Sequence, residues 1–329
     1  MTITTSADVR PEEMERYRRE LTGYCYRMLG SAFEADDAVQ ETLVRAWQKS
    51  ETFEGRSSVR SWLYRIATNV CLDILRSRGR RARPVDLGPA TAVEAFTAGT
   101  LPENVWVQPM PDARVLPGAG DPAELAAAKE SIRLAFVAAL QHLPARQRAV
   151  LILREVLSWQ ASEVAELLGS SVASVNSALQ RARATLAARD VAAAPVVTGD
   201  QQALLARYVD AFERYDVSGL VSLLHEDAVL SMPPYPLWIQ GRDELGRWFV
   251  GPGIGCRGSR LLPTSGNGLP GFGSYRPDER GGHYPWGIQL IEIRGDRIAA
   301  QHSFIDPELF PAFGLPTYLE PGQVWPSVV

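Results

Sequence analysis

Apolar residues recur at three- and four-residue spacing through the first half of the chain, and short apolar runs bounded by turn residues gather near its end. That pattern predicts helices first and strands late. Leu21, Tyr24, Cys25, Met28 and Leu29 line one helical face, which Gly30 and Ser31 interrupt. A second helix is expected over residues 33–49, with Val39, Leu43, Ala46 and Trp47 on its apolar face and Asp36, Asp37, Gln40 and Glu41 largely elsewhere. Acids in a first turn suit the positive end of the helix. Gly55 marks a loop, after which Ser57 or Ser58 can cap a helix over 59–77 carrying Trp62, Leu63, Ile66, Val70 and Ile74.

From 84 to 122 prolines and glycines recur, charge thins out and no period persists, so this stretch reads as a flexible connector with few contacts of its own. Helical spacing resumes at Ala123 and runs to about Arg189. Leu134, Val137, Leu140 and Leu143 form one helix, and Pro144 opens the next, expected over 146–156. A third begins at Gln160 or Ser162 and turns at Gly169 into a fourth. Ala165 and Leu168 then face Val172, Val175 and Leu179. This is the pattern of a helix-turn-helix, whose second helix enters the DNA major groove. A hairpin used only for packing has the same apolar positions. What differs is the polar outer face: Ser171, Ser174, Asn176, Ser177, Gln180, Arg181 and Arg183. Such side chains suit base edges and phosphates.

A second break is expected over 192–199. Beyond it, helices over 201–215, 217–224 and 243–249 mix with a strand over 228–232 and a hairpin, 286–293 and 297–304, turning at Gly295-Asp296. The chain therefore reads as multidomain: two all-α domains, 10–83 and 123–190, joined by the connector 84–122, then an α+β domain over 199–329.

Charge sharpens the picture. The net charge of −4 over 329 residues argues against a nucleic-acid partner only if the charge is evenly spread. It is not. Residues 53–83 hold eight arginines against Glu54 and Asp73, and five of the eight fall in RSRGRRAR, residues 76–83. A local basic face governs steering more than the total does, and arginines neutralise phosphates. The three cysteines, Cys25, Cys71 and Cys256, are odd in number and widely spaced, as in a reducing cytoplasm. Neither Cys nor His has metal-ligand spacing, so no metal or cofactor is expected. No apolar run approaches the roughly 18 residues of a membrane helix, and the first residues lack a signal peptide's apolar core. The expected location is cytoplasmic.

Three stretches resemble an extracytoplasmic-function sigma factor of the sigma-70 class: DDAVQETLVRAW (36–47), SWLYRIATNVCLDILRSRGRR (61–81) and LPARQRAVLILREVLSWQASEVAELLGSSVASVNSALQRAR (143–183). The resemblance covers most of residues 10–190. It implies two sigma regions, 2 and 4, that bind core RNA polymerase through its β′ coiled coil and β flap and direct it to promoter DNA. The 36–47 helix would dock on β′ through Asp36, Asp37, Gln40 and Glu41. Residues 54–61 and the following helix would open the minus-ten element, with Asn69 holding a flipped base and Trp62 and Tyr64 supplying rings. Trp62 shares the spacing of Leu63 and Ile66, so core and DNA-facing readings both stand. Arg76, Arg78, Arg80 and Arg81 would contact phosphates. The last helix would read the minus-thirty-five element. There the chain departs from many relatives, which carry basic residues where it has Asn176 and Ala178; Arg181 and Arg183 match the family's arginines.

HEDAVLSMPP (225–234) and GRDELGRWF (241–249) resemble a SnoaL-like domain of the NTF2-like cone fold. That resemblance implies an apolar pocket open to a small ligand, and His225, Asp227, His302 and Asp306 become acid–base candidates. The expected role is regulatory: a tethered module acts on its neighbour at high effective concentration, with a separate anti-sigma factor as a further partner. Two rival readings remain: a helix-turn-helix regulator working without polymerase, and a ligand-binding or isomerase-like pocket protein with a DNA-binding module.

Overall fold

The computed structural model describes residues 10–53, 55, 57–188 and 200–323. Glu54, Arg189 and the expected break at 192–199 lie outside these. The chain forms two compact units. The first takes residues 10–81 and 107–188, the second 82–106 and 200–323.

The first unit is all helical. α1 (Pro11–Glu15) and α2 (Arg18–Leu29) are followed by Gly30, whose φ of 72° places it in the left-handed region where glycine ends helices. α3 (Ala32–Gln48) is capped by Ser31, whose Oγ accepts from Glu34 N at 3.2 Å. α4 (Val59–Arg76) is capped by Ser58, which accepts from Ser61 N at 3.1 Å. These helices share a core in which the Tyr24 and Tyr64 rings meet edge-on at 5.2 Å. The Cys71 thiol lies beside Cys25 in that core, and burial pushes it up. Then come α5 (Asp112–Val115), α6 (Pro122–Glu130), α7 (Leu134–Leu140) and α8 (Ala145–Leu151), which runs into a wider turn, Ile152–Val156. α9 (Ala161–Leu167) starts with Gln160 N donating to Glu163 Oε2 at 2.7 Å. Gly169, φ 58°, turns the chain into α10 (Val172–Ala187), capped by Ser171.

Two expectations need correction. Trp47 is not on the buried face of α3: it is 63% exposed, while Ala35, Ala38, Val39, Thr42 and Ala46 are buried. Small residues let this helix pack closely, and one residue's rotation of about 100° carries Trp47 off the face. The 84–122 stretch is not a free connector either. Val93 and Trp106 are buried in the second unit, Val107 and Met110 in the first. Prolines abolish the periodicity without removing the apolar side chains. Each finds a site singly, held by short turns at Pro84–Asp86, Val93–Ala95 and Glu103–Val105.

The second unit pairs α11 (Gln201–Glu213), α12 (Val217–Leu223) and α13 (Arg242–Val250) with a six-stranded sheet and ends in α14 (Leu309–Ala312). The strands are β1 (Leu224–Ser231), β2 (Trp238–Gln240), β3 (Arg260–Gly266), β4 (Leu269–Pro277), β5 (His283–Arg294) and β6 (Arg297–Phe304), ordered β2-β1-β6-β5-β4-β3. Among the described neighbours in this sheet, β1 and β6 run parallel and the rest antiparallel. Leu204, Tyr208, Phe212, Trp248 and Phe272 belong to a core cluster spanning helices and sheet. β2, β3 and β4 lie outside the expected strands; Pro263, Pro270, Gly271 and Gly273 make β3 and β4 read as loop. The signal that finds β3 and β4 is Asn267-Gly268, both at positive φ (53° and 75°), the dipeptide a two-residue hairpin turn requires.

Candidate nucleic-acid interface

α4 buries Leu63, Tyr64, Ala67, Thr68, Val70 and Cys71, so Trp62, Arg65, Asn69, Asp73 and Arg76 fall on its outer stripe. Trp62 is half-buried, its ring tilted against Phe53 at 4.9 Å. Asn69 is exposed seven residues, about 10 Å, farther along. Trp62 is thus neither core nor fully free: one face packs on Phe53, and the rest borders the stripe that carries an amide.

The arginines beyond the stripe divide. Arg76 is 78% exposed and holds Asp73 at 2.7 Å. Arg80 meets His142 Nδ1 at 2.6 Å, and Arg78 pairs with Glu34. Arg81 departs from the expected phosphate role. Its side chain is 5% exposed and bonds Glu34 at 2.7 Å, so it anchors the end of the segment instead of facing a duplex.

On α10, Val175, Leu179 and Ala182 are buried while Ser174, Asn176, Ser177, Gln180, Arg181 and Arg183 are exposed. They do not form one surface. Ser174 and Arg181, seven apart, line a groove of about 750 Å³ with Leu72, Leu75 and Arg76 of α4. Arg183 holds Glu155 at 2.5 Å. Asn176 and Gln180, four apart, share another edge.

The two helical halves are packed together. Arg148, 4% exposed, donates to Met28 O, to Gln141 Oε1 at 2.7 Å and to Leu143 O at 3.2 Å. Arg27 donates to Ser131 Oγ at 2.6 Å. Burial pulls both guanidinium groups down to about 10, still charged at neutral pH. The Tyr64 and Trp159 rings meet at 5.1 Å with Arg60 lying over both, and Arg65 reaches Glu166 of α9 at 3.4 Å. The seam is imperfect. Arg148 Nε and Trp159 Nε1 are buried donors without partners, each costing about 1–3 kcal/mol.

On α3, Asp37, Gln40 and Glu41 are exposed with Val44 and Trp47 beyond them, one stripe at three- and four-residue spacing. Asp36 differs: it is half-buried and bonds Arg114 of α5 at 2.5 Å. Burial outweighs that arginine and raises its carboxyl.

Residues 14–81 match the Sigma-70 region 2 family, 133–186 the Sigma-70 region 4 family, and 205–301 the SnoaL-like domain family. The ECF RNA polymerase sigma factor SigG of Mycobacterium tuberculosis is 45% identical over 314 residues, covering 93% of this chain and 83% of the relative. The chain belongs to the ECF RNA polymerase sigma factors. SigJ of the same organism is 27% identical over 320 residues, covering 91% of this chain and 92% of the relative. The crystal structure of SigJ covers 93% of this chain at TM-score 0.58 and 23% identity, which shows the shared fold. This sigma factor thus directs RNA polymerase to promoters through regions 2 and 4, followed by a SnoaL-like, NTF2-like domain.

Within that last domain the acid–base candidates do not converge. His225 and Asp227 bond each other at the surface, with Arg294 at 3.2 Å from Asp227. His302 points between Ser231 Oγ (3.0 Å) and Glu292 (3.3 Å). Asp306 is half-buried, its carboxyl raised by burial, and accepts from Glu308 N. None of the four lines the domain's cavity. No described helix is long and apolar enough to cross a membrane.

Proposed function

We propose that this sigma factor docks on polymerase through Asp37, Gln40 and Glu41, opens the minus-ten element with the Trp62–Asn69 stripe, and reads the minus-thirty-five element with α10. The carrying observation is that stripe: an aromatic ring and an exposed amide on one helix face, followed by arginines. Stacking on rings and amide pairing with base edges are what unstacked bases require. A repressor working on duplex DNA needs no such stripe. Asp36 engages polymerase only if its bond to Arg114 opens.

The seam between the halves must also open. Two promoter elements about 25 base pairs apart lie about 85 Å apart along B-DNA. A compact body of about 160 residues is only about 40 Å across. Both elements are therefore read at once only after α8–α10 leave α2 and α4, and the two unpartnered donors at the seam lower the cost of leaving. The partner and setting are cytoplasmic polymerase, and the SnoaL-like domain tunes this activity without catalysing a reaction. An anti-sigma factor acting at the seam would hold it shut.

In vitro transcription with core enzyme and start-site mapping tests the reading. Trp62→Ala and Asn69→Ala are expected to bind core enzyme normally and to form roughly tenfold fewer open complexes. Wild-type opening by both variants would overturn it. Truncation after residue 195 would strip residues 82–106 of the unit they pack on, so point substitutions are the cleaner probe of tuning.

A further inference from the structure

The SnoaL-like domain encloses a cavity of about 220 Å³ between α13, the turn Pro252–Cys256 and the sheet. Its walls are aromatic: Phe96, Tyr235, Trp248 and Trp286. Phe96 stands perpendicular to Trp248 at 5.1 Å. Its floor is polar, which core packing does not need. Ser274, Gln289, Gln301 and Ser303 all line the cavity and are 1–5% exposed. The β5–β6 register sets Gln289 opposite Ser303. Tyr208 donates to Gln289 Oε1 at 2.9 Å, which fixes the amide with its NH₂ still to place. Gln301 Nε2 donates to Ser303 Oγ at 3.2 Å. Ser274 Oγ is buried with no partner. A buried hydroxyl without a partner is costly unless something else completes it.

Among the described residues, one charged side chain lines this space. The Arg276 guanidinium lies on the Trp286 ring at 3.3 Å, with Nη2 at 3.5 Å from Cys256 Sγ and Nε buried without a partner. Among the described residues, no Asp, Glu or His lines it. The cavity thus holds one positive charge with no carboxylate opposite it among the described lining residues.

We propose that this cavity is a regulatory binding site for a small ring-bearing carboxylate, its ring against Phe96 and Trp248 and its carboxylate on Arg276 and Ser274. The volume equals that of about seven waters, enough for one substituted ring. A planar guanidinium matches a carboxylate's two oxygens, and aromatic walls favour a ring. Phe96 belongs to the excursion Ala82–Trp106, whose ends are tied by Ala82 N donating to Val105 O at 2.7 Å and by the Ala82–Trp106 bridge. Both ends continue directly into the polymerase- and DNA-binding unit, so a ligand that shifts Phe96 acts on a closed loop anchored there. Ligand binding stands apart from the promoter reading; only its regulatory consequence rests on the tuning role.

The test titrates intact protein with benzoate and phenylacetate, with benzamide as the uncharged twin, by calorimetry and tryptophan fluorescence. Expected are one site per chain with Kd below about 1 mM for a carboxylate, benzamide at least tenfold weaker, and at least tenfold loss in Arg276→Gln and Ser274→Val. Arg276→Lys keeps the charge and separates lost affinity from lost folding, monitored by melting. The proposal is overturned if neither carboxylate saturates, if benzamide binds as well, or if a folded Arg276→Gln protein binds benzoate unchanged. Any of these leaves promoter-directed transcription untouched.

Discussion

The helical unit and the SnoaL-like unit bury polar groups for opposite ends. In the first, buried charge joins parts: Arg148, Arg27 and Arg81 reach across to carbonyls, a hydroxyl and Glu34, tying helices far apart in sequence. In the second, Ser274, Gln289, Gln301 and Ser303 are neutral and face a cavity. A buried polar group with a partner fastens two elements; one facing empty space selects what can enter. The first unit is therefore a fastened assembly whose fastening can be undone, and the second a container.

The sharpest way to break that contrast is Arg148→Ala. It leaves the carbonyls of Met28, Gln141 and Leu143 short of a donor, and an expected loss of about 3 kcal/mol or more in urea unfolding checks it. An unchanged midpoint would mean the arginine fastens nothing. Glu34→Gln removes the charge shared by Arg78 and Arg81; a loss of about 2 kcal/mol is expected by the same measurement. Trp62→Ala tests the open stripe instead of the core. Losing one base-stacking ring costs about 1–3 kcal/mol, so open complexes should fall roughly tenfold in permanganate footprinting while stability moves little. Phe96→Ala removes a cavity wall and should change transcript yield without changing the start site.

The smallest effect expected is at the surface of the second unit. Slight burial raises the Asp227 carboxyl, but its hydrogen bond to His225 and the charge of Arg294 outweigh it, so the net lies below the usual 3.8. A carboxylate held below its unfolded value stabilises above that value and loses the contribution as pH falls through the folded one. Asp227→Asn should therefore destabilise by under about 1 kcal/mol at pH 7 and by less at acid pH, once the carboxyl protonates. Equal loss at both pH values would point to packing instead of charge.

Much of the first unit was legible because helices announce themselves locally. The breaks at Gly30 and Gly169, Ser58 as a cap, and Val175 and Leu179 on the buried face of α10 all follow from neighbours in sequence, whereas Val172, expected beside them, is 43% exposed. The outer residues of α10 and the acids of α3 were named from the same periodicity. The second unit was half legible. The β5–β6 hairpin has alternating residues and a Gly-Asp turn, whereas β3 and β4 hide behind prolines and glycines despite Asn267-Gly268.

By itself the sequence determined the helices, the order of the modules and most of the side chains that face outward from α4 and α10, because these depend on contacts within a few residues. Tertiary structure alone decided that Arg81 is an anchor, that Asp36 is engaged by Arg114, that the proline-rich stretch splits between two units, and that Arg276 and Ser274 meet Phe96 across a cavity. These are pairings between positions tens to hundreds of residues apart. No local period records them, since burial and partner choice are settled only when distant surfaces close on one another.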